Sequence, residues 1–202
     1  MIKAKHNTVY IWFFRNYFRL LSFLNFRKFT IINPVMLSAN QSVLLLQNHF
    51  SWWDGYWSYQ LSRTIFKRKF HVMMLEEQLR KHMFLNRCGV FSVKKNHRDT
   101  LESLNYASEI LQNPDNLLTI YPSGKMYSHH TQSINFQQGI ERLAILENQP
   151  QIVFAVFLVD YFGFARPEIR CYLKNYNGNR ILPDMESSFH QFYQSCVDQQ
   201  TE

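Results

Sequence analysis

The feature that most constrains the fold is the alternation, from residue 43 onward, of short apolar runs with longer helix-like segments. The runs are four to eight residues long, as is typical of buried strands. The predicted strands are 43–46, 70–75, 90–93, 116–121, 152–159 and 169–173, and the predicted helices are 53–67, 76–86, 99–112, 139–148 and a C-terminal helix after Pro183-Asp184. Strands that alternate with helices favour parallel pairing, because each helix crosses back over the sheet. The sequence therefore predicts an α/β fold with a mostly parallel sheet flanked by helices.

The first predicted strand ends in a polar pair, Asn48-His49, and Asp54 follows the histidine by five positions. If a turn and a helix start follow His49, one helical turn returns the carboxylate to the imidazole. A carboxylate bonded to one ring nitrogen fixes the tautomer and leaves the other nitrogen as a base. Such a base can take a proton from a hydroxyl that attacks an activated acyl group. That is acyl-transfer chemistry without a covalent enzyme intermediate, but the spacing alone is a weak signal, since a bare His-x4-Asp is more often a buried structural pair.

The order of the later segments favours the catalytic interpretation. They are Gly89 with a short strand and two lysines, the loop Tyr-Pro-Ser-Gly-Lys-Met at 121–126, a helix start at 136–139 and an apolar strand at 152–159. Asn48-His49-x4-Asp54 resembles the first motif of the glycerolipid (lysophospholipid) acyltransferase family, and the later segments fall where that family has its other motifs. The resemblance covers roughly residues 40–165.

This resemblance implies an O-acyltransferase that needs neither cofactor nor metal. In such an enzyme His49 is the general base and Asp54 orients it. The acceptor hydroxyl attacks the thioester of acyl carrier protein or coenzyme A, which is already activated. Asn48 is expected to fix the loop beside the substrate. The aromatic residues that follow His49 are expected either to wall an acyl tunnel or to pack on the sheet or the membrane: Trp52, Trp53, Tyr56 and Trp57.

Two motifs depart from the family pattern in ways that bear on the acceptor. Lys95 stands where the family has an arginine that contacts phosphate, and lysine lacks the bidentate fork of arginine. Ser123 replaces the usual glutamate and Met126 the usual arginine, whereas Gly124 matches and Lys125 offers a replacement cation. The resemblance implies that Lys95, Ser123, Gly124 and Lys125 bind substrate; a solvated lysine pair and a Pro-Gly turn explain them equally well. Lysophosphatidate is the family's default acceptor, but the replacements also favour an aminolipid, glycolipid or pigment hydroxyl.

The N-terminal residues 9–29 are dense in aromatic and aliphatic side chains. Four basic residues interrupt this run: Arg15, Arg19, Arg27 and Lys28. The interruptions exclude a spanning helix, and no small-residue cleavage site marks a secretory signal. A helix in the membrane interface fits the pattern, as does a helix packed on its own domain. We predict an amphipathic membrane-associating segment at 1–35 and an acyltransferase domain at 36–202, at the cytoplasmic face of the cell membrane, peripheral or shallowly inserted.

The net charge of +7, with a pI near 9.4, points to an anionic partner. Anionic lipid, the acidic surface of acyl carrier protein and nucleic acid all satisfy this charge. Nucleic acid is not expected, because the aromatic residues concentrate in the N-terminal segment. A non-catalytic binding protein and a family member that has lost activity are the remaining alternatives. Three cysteines without CxxC spacing, Cys88, Cys171 and Cys196, predict a reducing compartment without disulfides or a zinc site.

Overall fold

A computed structural model describes residues 1–94, 97–128 and 134–201, and these residues contain one seven-stranded sheet. Its strands are β1 Lys28–Ile32, β2 Val43–Gln47, β3 Lys69–Leu75, β4 Val90–Val93, β5 Asn116–Ile120, β6 Gln151–Asp160 and β7 Glu168–Tyr176. Their order is β1-β7-β6-β2-β5-β3-β4, and every neighbouring pair is parallel except β6 with β7. This arrangement confirms the predicted α/β fold with a mostly parallel sheet.

Helices pack on both faces of the sheet. They are α1 Thr8–Asn25, α2 Asp54–Leu61, α3 Glu76–Lys81, α4 His97–Leu111, α5 Gly139–Ala144 and α6 Leu182–Thr201. One buried cluster joins the sheet to α4, α5 and α6 through residues such as Leu111, Leu143 and Phe189. A second cluster joins the other face to α2 and α3 through Trp57 and Leu79. Strands that are buried on both faces have continuous apolar sequences, and for this reason most of them could be predicted from the sequence.

Three local features differ from the predicted elements. The predicted helix 53–67 is α2 followed by a π-helical turn at Ser62–Phe66, which ends at Lys67 in a left-handed conformation with φ 50°. The predicted helix 76–86 is α3 followed by a 3-10 turn at Met83–Arg87. Strand β1 has no counterpart among the predicted strands, because its apolar residues continue the composition of the N-terminal segment.

The N-terminal segment contacts both edges of the sheet. Before α1, the Ile2 and Ser92 backbones are joined by a 3.0 Å hydrogen bond, and the Asn7 amide donates to the Arg87 carbonyl at 3.0 Å. After α1, β1 forms the opposite edge of the sheet, where it pairs with β7. The 18 residues of α1 extend about 27 Å, which is close to the width of seven strands about 4.8 Å apart. Helix α1 therefore crosses the molecule from one sheet edge to the other.

We expect Gly89→Ala to destabilise the protein by about 2 kcal/mol or more. Gly89 has φ +100°, and a Cβ at this position would lie 2.3 Å from the Phe70 carbonyl oxygen and 2.7 Å from His6 Nε2. The carbonyl cannot retreat without disturbing the pairing of β3 with β4. Gly55→Ala is the matched control, because Gly55 is helical and an added Cβ meets nothing within 4 Å. Urea unfolding of both variants measures the difference, and equal stabilities would contradict this account.

Candidate active site

The loop between β2 and α2 is a tight turn closed by one carboxylate. Asp54 is the first residue of α2, and its side chain is fully buried. Its Oδ2 accepts hydrogen bonds from the backbone amides of Phe50, at 2.8 Å, and Ser51, at 3.0 Å. The Ser51 hydroxyl accepts from the Trp53 amide at 3.1 Å. These local bonds position the carboxylate before the helix begins.

The same carboxylate oxygen holds the histidine ring. His49 Nδ1 lies 2.6 Å from Asp54 Oδ2, and 22% of the His49 side chain is exposed. When Nδ1–H donates to the carboxylate, Nε2 is the unprotonated nitrogen of the neutral ring. The five-residue turn, and not a helical turn, returns the acid to the imidazole, because α2 starts only at Asp54. The arrangement can accept a proton at Nε2 while the ring keeps its orientation.

Tyr121 also orients the imidazole, although the sequence marked this residue only as the first of the loop at 121–126. Its ring stacks on the His49 ring, with centroids 4.1 Å apart and planes 16° apart. The Tyr121 hydroxyl is buried near Ser58 and Asp54 without the geometry of a standard hydrogen bond. Burial, together with the nearby Asp54 charge, raises the pKa of Tyr121. The signal in the sequence that could have revealed this role was the position of Tyr121 directly after β5, the strand that pairs with β2.

A buried polar layer lies behind the pair. The Ser58 hydroxyl is 2.5 Å from Gln47 Oε1 and 2.7 Å from the Asp54 carbonyl oxygen. Asn48 donates through Nδ2 to the Phe157 carbonyl at 2.9 Å and accepts through Oδ1 from the Phe157 amide at 2.8 Å. Asn48 thus ties the loop to β6.

The loop after β5 lies against the histidine, because β5 and β2 are neighbours. The Tyr127 amide donates to the His49 carbonyl at 2.8 Å. Ser123 is buried, and its hydroxyl donates to the Lys125 carbonyl at 2.6 Å, within the loop itself. Gly124 has φ +65°, the region that favours glycine. The Lys125 side chain is exposed, with Nζ 5.0 Å from the centre of the Tyr127 ring.

The remaining predicted substrate-binding residue, Lys95, lies outside the described residues. In the described ranges, no group of three or more His, Cys, Asp and Glu side chains is arranged to hold a metal ion. The three cysteines are free thiols.

The four aromatic residues after His49 divide between the core and the surface. Tyr56 and Trp57 are buried, Trp53 is half-buried and Trp52 is 57% exposed. Trp57 stacks on the β1 residue Phe29, with ring centroids 4.9 Å apart. Of the roles expected from the sequence, packing on the sheet therefore applies to Tyr56 and Trp57. Trp52 is accessible at the surface.

Residues 28–156 match the model of a protein family described as Acyltransferase, and this match covers well over half of the chain. The chain belongs to the acyltransferase family. The match confirms the resemblance drawn from the sequence motifs, and this acyltransferase carries the His-x4-Asp pair inside the matched region.

The fold of this acyltransferase is similar to that of a crystallised 1-acyl-sn-glycerophosphate (LPA) acyltransferase, PlsC, from Thermotoga maritima. The TM-score is 0.62, and the similarity covers 92% of this chain and 77% of that chain at 10% sequence identity. At such low identity the similarity describes the fold alone. Among curated proteins, none matches the sequence of this acyltransferase significantly.

We expect Tyr121→Ala to cost about 3 kcal/mol of stability, because it empties the space against the His49 ring. Tyr121→Phe keeps the stacked ring and removes a buried hydroxyl, so its stability should stay within about 1 kcal/mol of the wild type. Urea unfolding measures both values. If the phenylalanine variant loses as much stability as the alanine variant, the hydroxyl and not the stacked ring is the stabilising group.

Proposed function

We propose that this acyltransferase moves a fatty acyl group from acyl carrier protein or coenzyme A to a hydroxyl of a lysophospholipid-like acceptor. The observation that carries the proposal is the 2.6 Å contact between His49 Nδ1 and Asp54 Oδ2 on a ring that reaches the surface. His49 Nε2 takes the proton of the acceptor hydroxyl while the hydroxyl oxygen forms a bond to the carbonyl carbon of the thioester. The carbon–sulfur bond then breaks, and the thiolate receives the proton from His49. We expect no cofactor and no metal ion.

Two observations bear on the identity of the acceptor, and they favour different lipids. The similar PlsC structure belongs to an enzyme named for 1-acyl-sn-glycerophosphate, which supports a lysophosphatidate-like acceptor. Ser123, in contrast, donates its hydroxyl within its own loop, and Met126 is an exposed apolar side chain where the family has an arginine. These replacements support the second candidate, which is the same transfer to an aminolipid, glycolipid or pigment hydroxyl. Lys95, Ser123, Gly124 and Lys125 remain the proposed substrate-binding residues, with Asn48 beside them.

We also propose that α1 docks on the anionic cytoplasmic face of the cell membrane. Its inner side packs on the domain, with the Phe14 and Phe84 ring centroids 4.3 Å apart and those of Phe18 and Tyr56 5.6 Å apart. Its outer side carries a stripe of exposed apolar residues: Val9, Trp12, Phe13, Tyr17, Leu20, Phe23 and Leu24. Helix α1 contains two arginines and no acidic residue. A helix with one apolar side and basic residues beside it suits the surface of an anionic bilayer.

Insertion is proposed to be shallow. None of the helices in the described part of the chain combines the length and the apolar character that crossing a bilayer requires.

We expect His49→Ala to lower the rate of acyl transfer by about 10²- to 10⁴-fold, the usual contribution of a general base. Asp54→Asn keeps an oxygen for the turn amides but weakens the hold on the ring, so a loss on the order of a hundredfold is expected. His82→Ala, at a half-buried histidine away from the site, is the control. The assay offers acyl carrier protein and coenzyme A thioesters with a panel of lyso-lipids in detergent micelles, and mass spectrometry identifies the product. Unchanged turnover in folded His49→Ala protein would overturn the mechanism.

We expect Phe13→Ser combined with Leu20→Ser to weaken binding to anionic vesicles by about tenfold or more, because two exposed apolar side chains of α1 are lost. Both residues are more than half exposed, so folding should be preserved. Flotation with phosphatidylglycerol vesicles measures binding, and activity in detergent micelles should stay unchanged. Equal flotation of variant and wild type would argue against docking through α1, and preferential retention on nucleic acid would favour a different partner.

A further inference from the structure

The turn between β6 and β7 projects past the sheet on the side that carries His49. Strand β6 runs parallel to β2, and Gln47, the last residue of β2, pairs with Ala155. Strand β6 continues for five more residues to Asp160, about 16 Å at the usual rise of a strand. Residues 160–167, here called the β6–β7 tip, therefore extend beyond the level at which Asn48 joins β6.

The β6–β7 tip exposes three aromatic rings within four residues: Tyr161 at 57%, Phe162 at 36% and Phe164 at 47%. The Phe164 amide donates to the Tyr161 carbonyl at 2.8 Å, and the two residues between them, Phe162 and Gly163, have φ of 45° and 80°. Turns with two positive φ angles favour Asn-Gly, and phenylalanine is disfavoured there. Turn formation therefore does not explain the choice of phenylalanine at position 162.

Guanidinium groups lie over two of these rings, Phe162 and Phe164, and over one ring of α1, Phe23. Their carbon atoms lie over ring centroids in three pairs: Arg27 with Phe164 at 3.6 Å, Arg170 with Phe162 at 4.1 Å, and Arg166 with Phe23 at 5.9 Å. Two carboxylates lie nearby. Glu168 is paired with Arg27, and Asp160 accepts the Tyr161 amide. With Lys28 the region carries four cations against two acids, so its net charge is positive.

The tip is continuous with the outer side of α1. Arg166 donates through Nη1 to the Phe23 carbonyl at 2.6 Å, and the Phe23 ring is 71% exposed on the apolar stripe of α1. The Arg27 amide donates to the Pro167 carbonyl at 2.9 Å. Helix α1 also reaches the catalytic loop, because the Phe18 and Trp52 ring centroids are 5.3 Å apart. One exposed surface thus joins the tip, α1 and the loop that carries His49.

We propose that the β6–β7 tip is a second membrane-docking element, which enters the interface of an anionic bilayer beside α1. Exposed rings with arginines beside them match this environment, since the rings can sit among lipid headgroups and acyl chains while the guanidiniums bind phosphates. Two contacts, one from α1 and one from the tip, fix the tilt of the enzyme on the bilayer and turn the His49 loop towards the lipid surface. This inference rests on the proposed function, whose acceptor is a lipid.

A fluorescent label tests the position of the tip directly. Tyr161→Cys is labelled with an environment-sensitive dye in a Cys88→Ser background. The other native thiols are buried, and burial raises the pKa of Cys196 to about 12 and that of Cys171 far above its usual value, so they react slowly. Vesicles of phosphatidylcholine and phosphatidylglycerol should shift the emission of the tip label to the blue. The same label at Ile145→Cys, an exposed apolar position outside this surface, should not shift.

Removing the rings tests their contribution. Tyr161→Ser combined with Phe164→Ser should lower affinity for the same vesicles by about tenfold to a hundredfold, given the apolar area exposed. Met36→Ser combined with Ile145→Ser is the matched control, because both residues are more than half exposed elsewhere. Transfer to a lipid acceptor should fall in vesicles and stay unchanged in detergent micelles.

Unchanged vesicle affinity together with an unshifted tip label would overturn the proposal. So would a variant that binds vesicles normally but converts a dimer to a monomer in size-exclusion chromatography, because the tip would then contact a second copy. Loss of vesicle affinity supports the proposal even if no acyl transfer is found in any assay. Absence of acyl transfer in every assay would refute the proposed function, but it would not affect the proposed docking element.

Discussion

The candidate site depends on one buried oxygen, Asp54 Oδ2, which accepts hydrogen bonds from the His49 ring and from the amides of Phe50 and Ser51. Burial of a carboxylate is costly unless hydrogen bonds replace its water. Here the donors come from its own turn and the acid begins α2, where the helix dipole favours negative charge. The hydrogen bonds to this one oxygen therefore also shape the loop and orient the imidazole.

Neighbouring strands supply the rest of the site. Strand β2 leads to His49, β5 leads to the stacked Tyr121 ring, and β6 accepts the amide of Asn48. Because these three strands are adjacent and parallel, their carboxyl ends meet at one edge. The order of the strands therefore brings His49, Tyr121 and Asn48 together. The crystallised PlsC acyltransferase has a similar fold.

The exposed apolar surface has a physical relation to this site. Soluble proteins rarely expose contiguous apolar stripes like the outer side of α1, and such stripes usually mark an interaction surface. A lyso-lipid keeps its free hydroxyl near the headgroup region, so a base that acts on it benefits from a fixed distance to the bilayer. The aromatic β6–β7 tip contacts α1, and α1 in turn contacts the loop that carries His49, so a lipid surface that covers the tip and α1 lies near this loop.

The sequence by itself determined the α/β class, most of the strands and the proximity of His49 to Asp54, because these follow from local periodicity and from groups five positions apart. It did not determine β1, whose pairing with β7 depends on residues such as Arg27 and Glu168 that are 141 positions apart. Only the tertiary structure decided the stacking of Tyr121 on His49, the two hydrogen bonds between Asn48 and Phe157, and the continuity of α1 with the β6–β7 tip. Each of these joins distant parts of the chain, and the order of strands in the sheet, which local composition does not encode, brings them together.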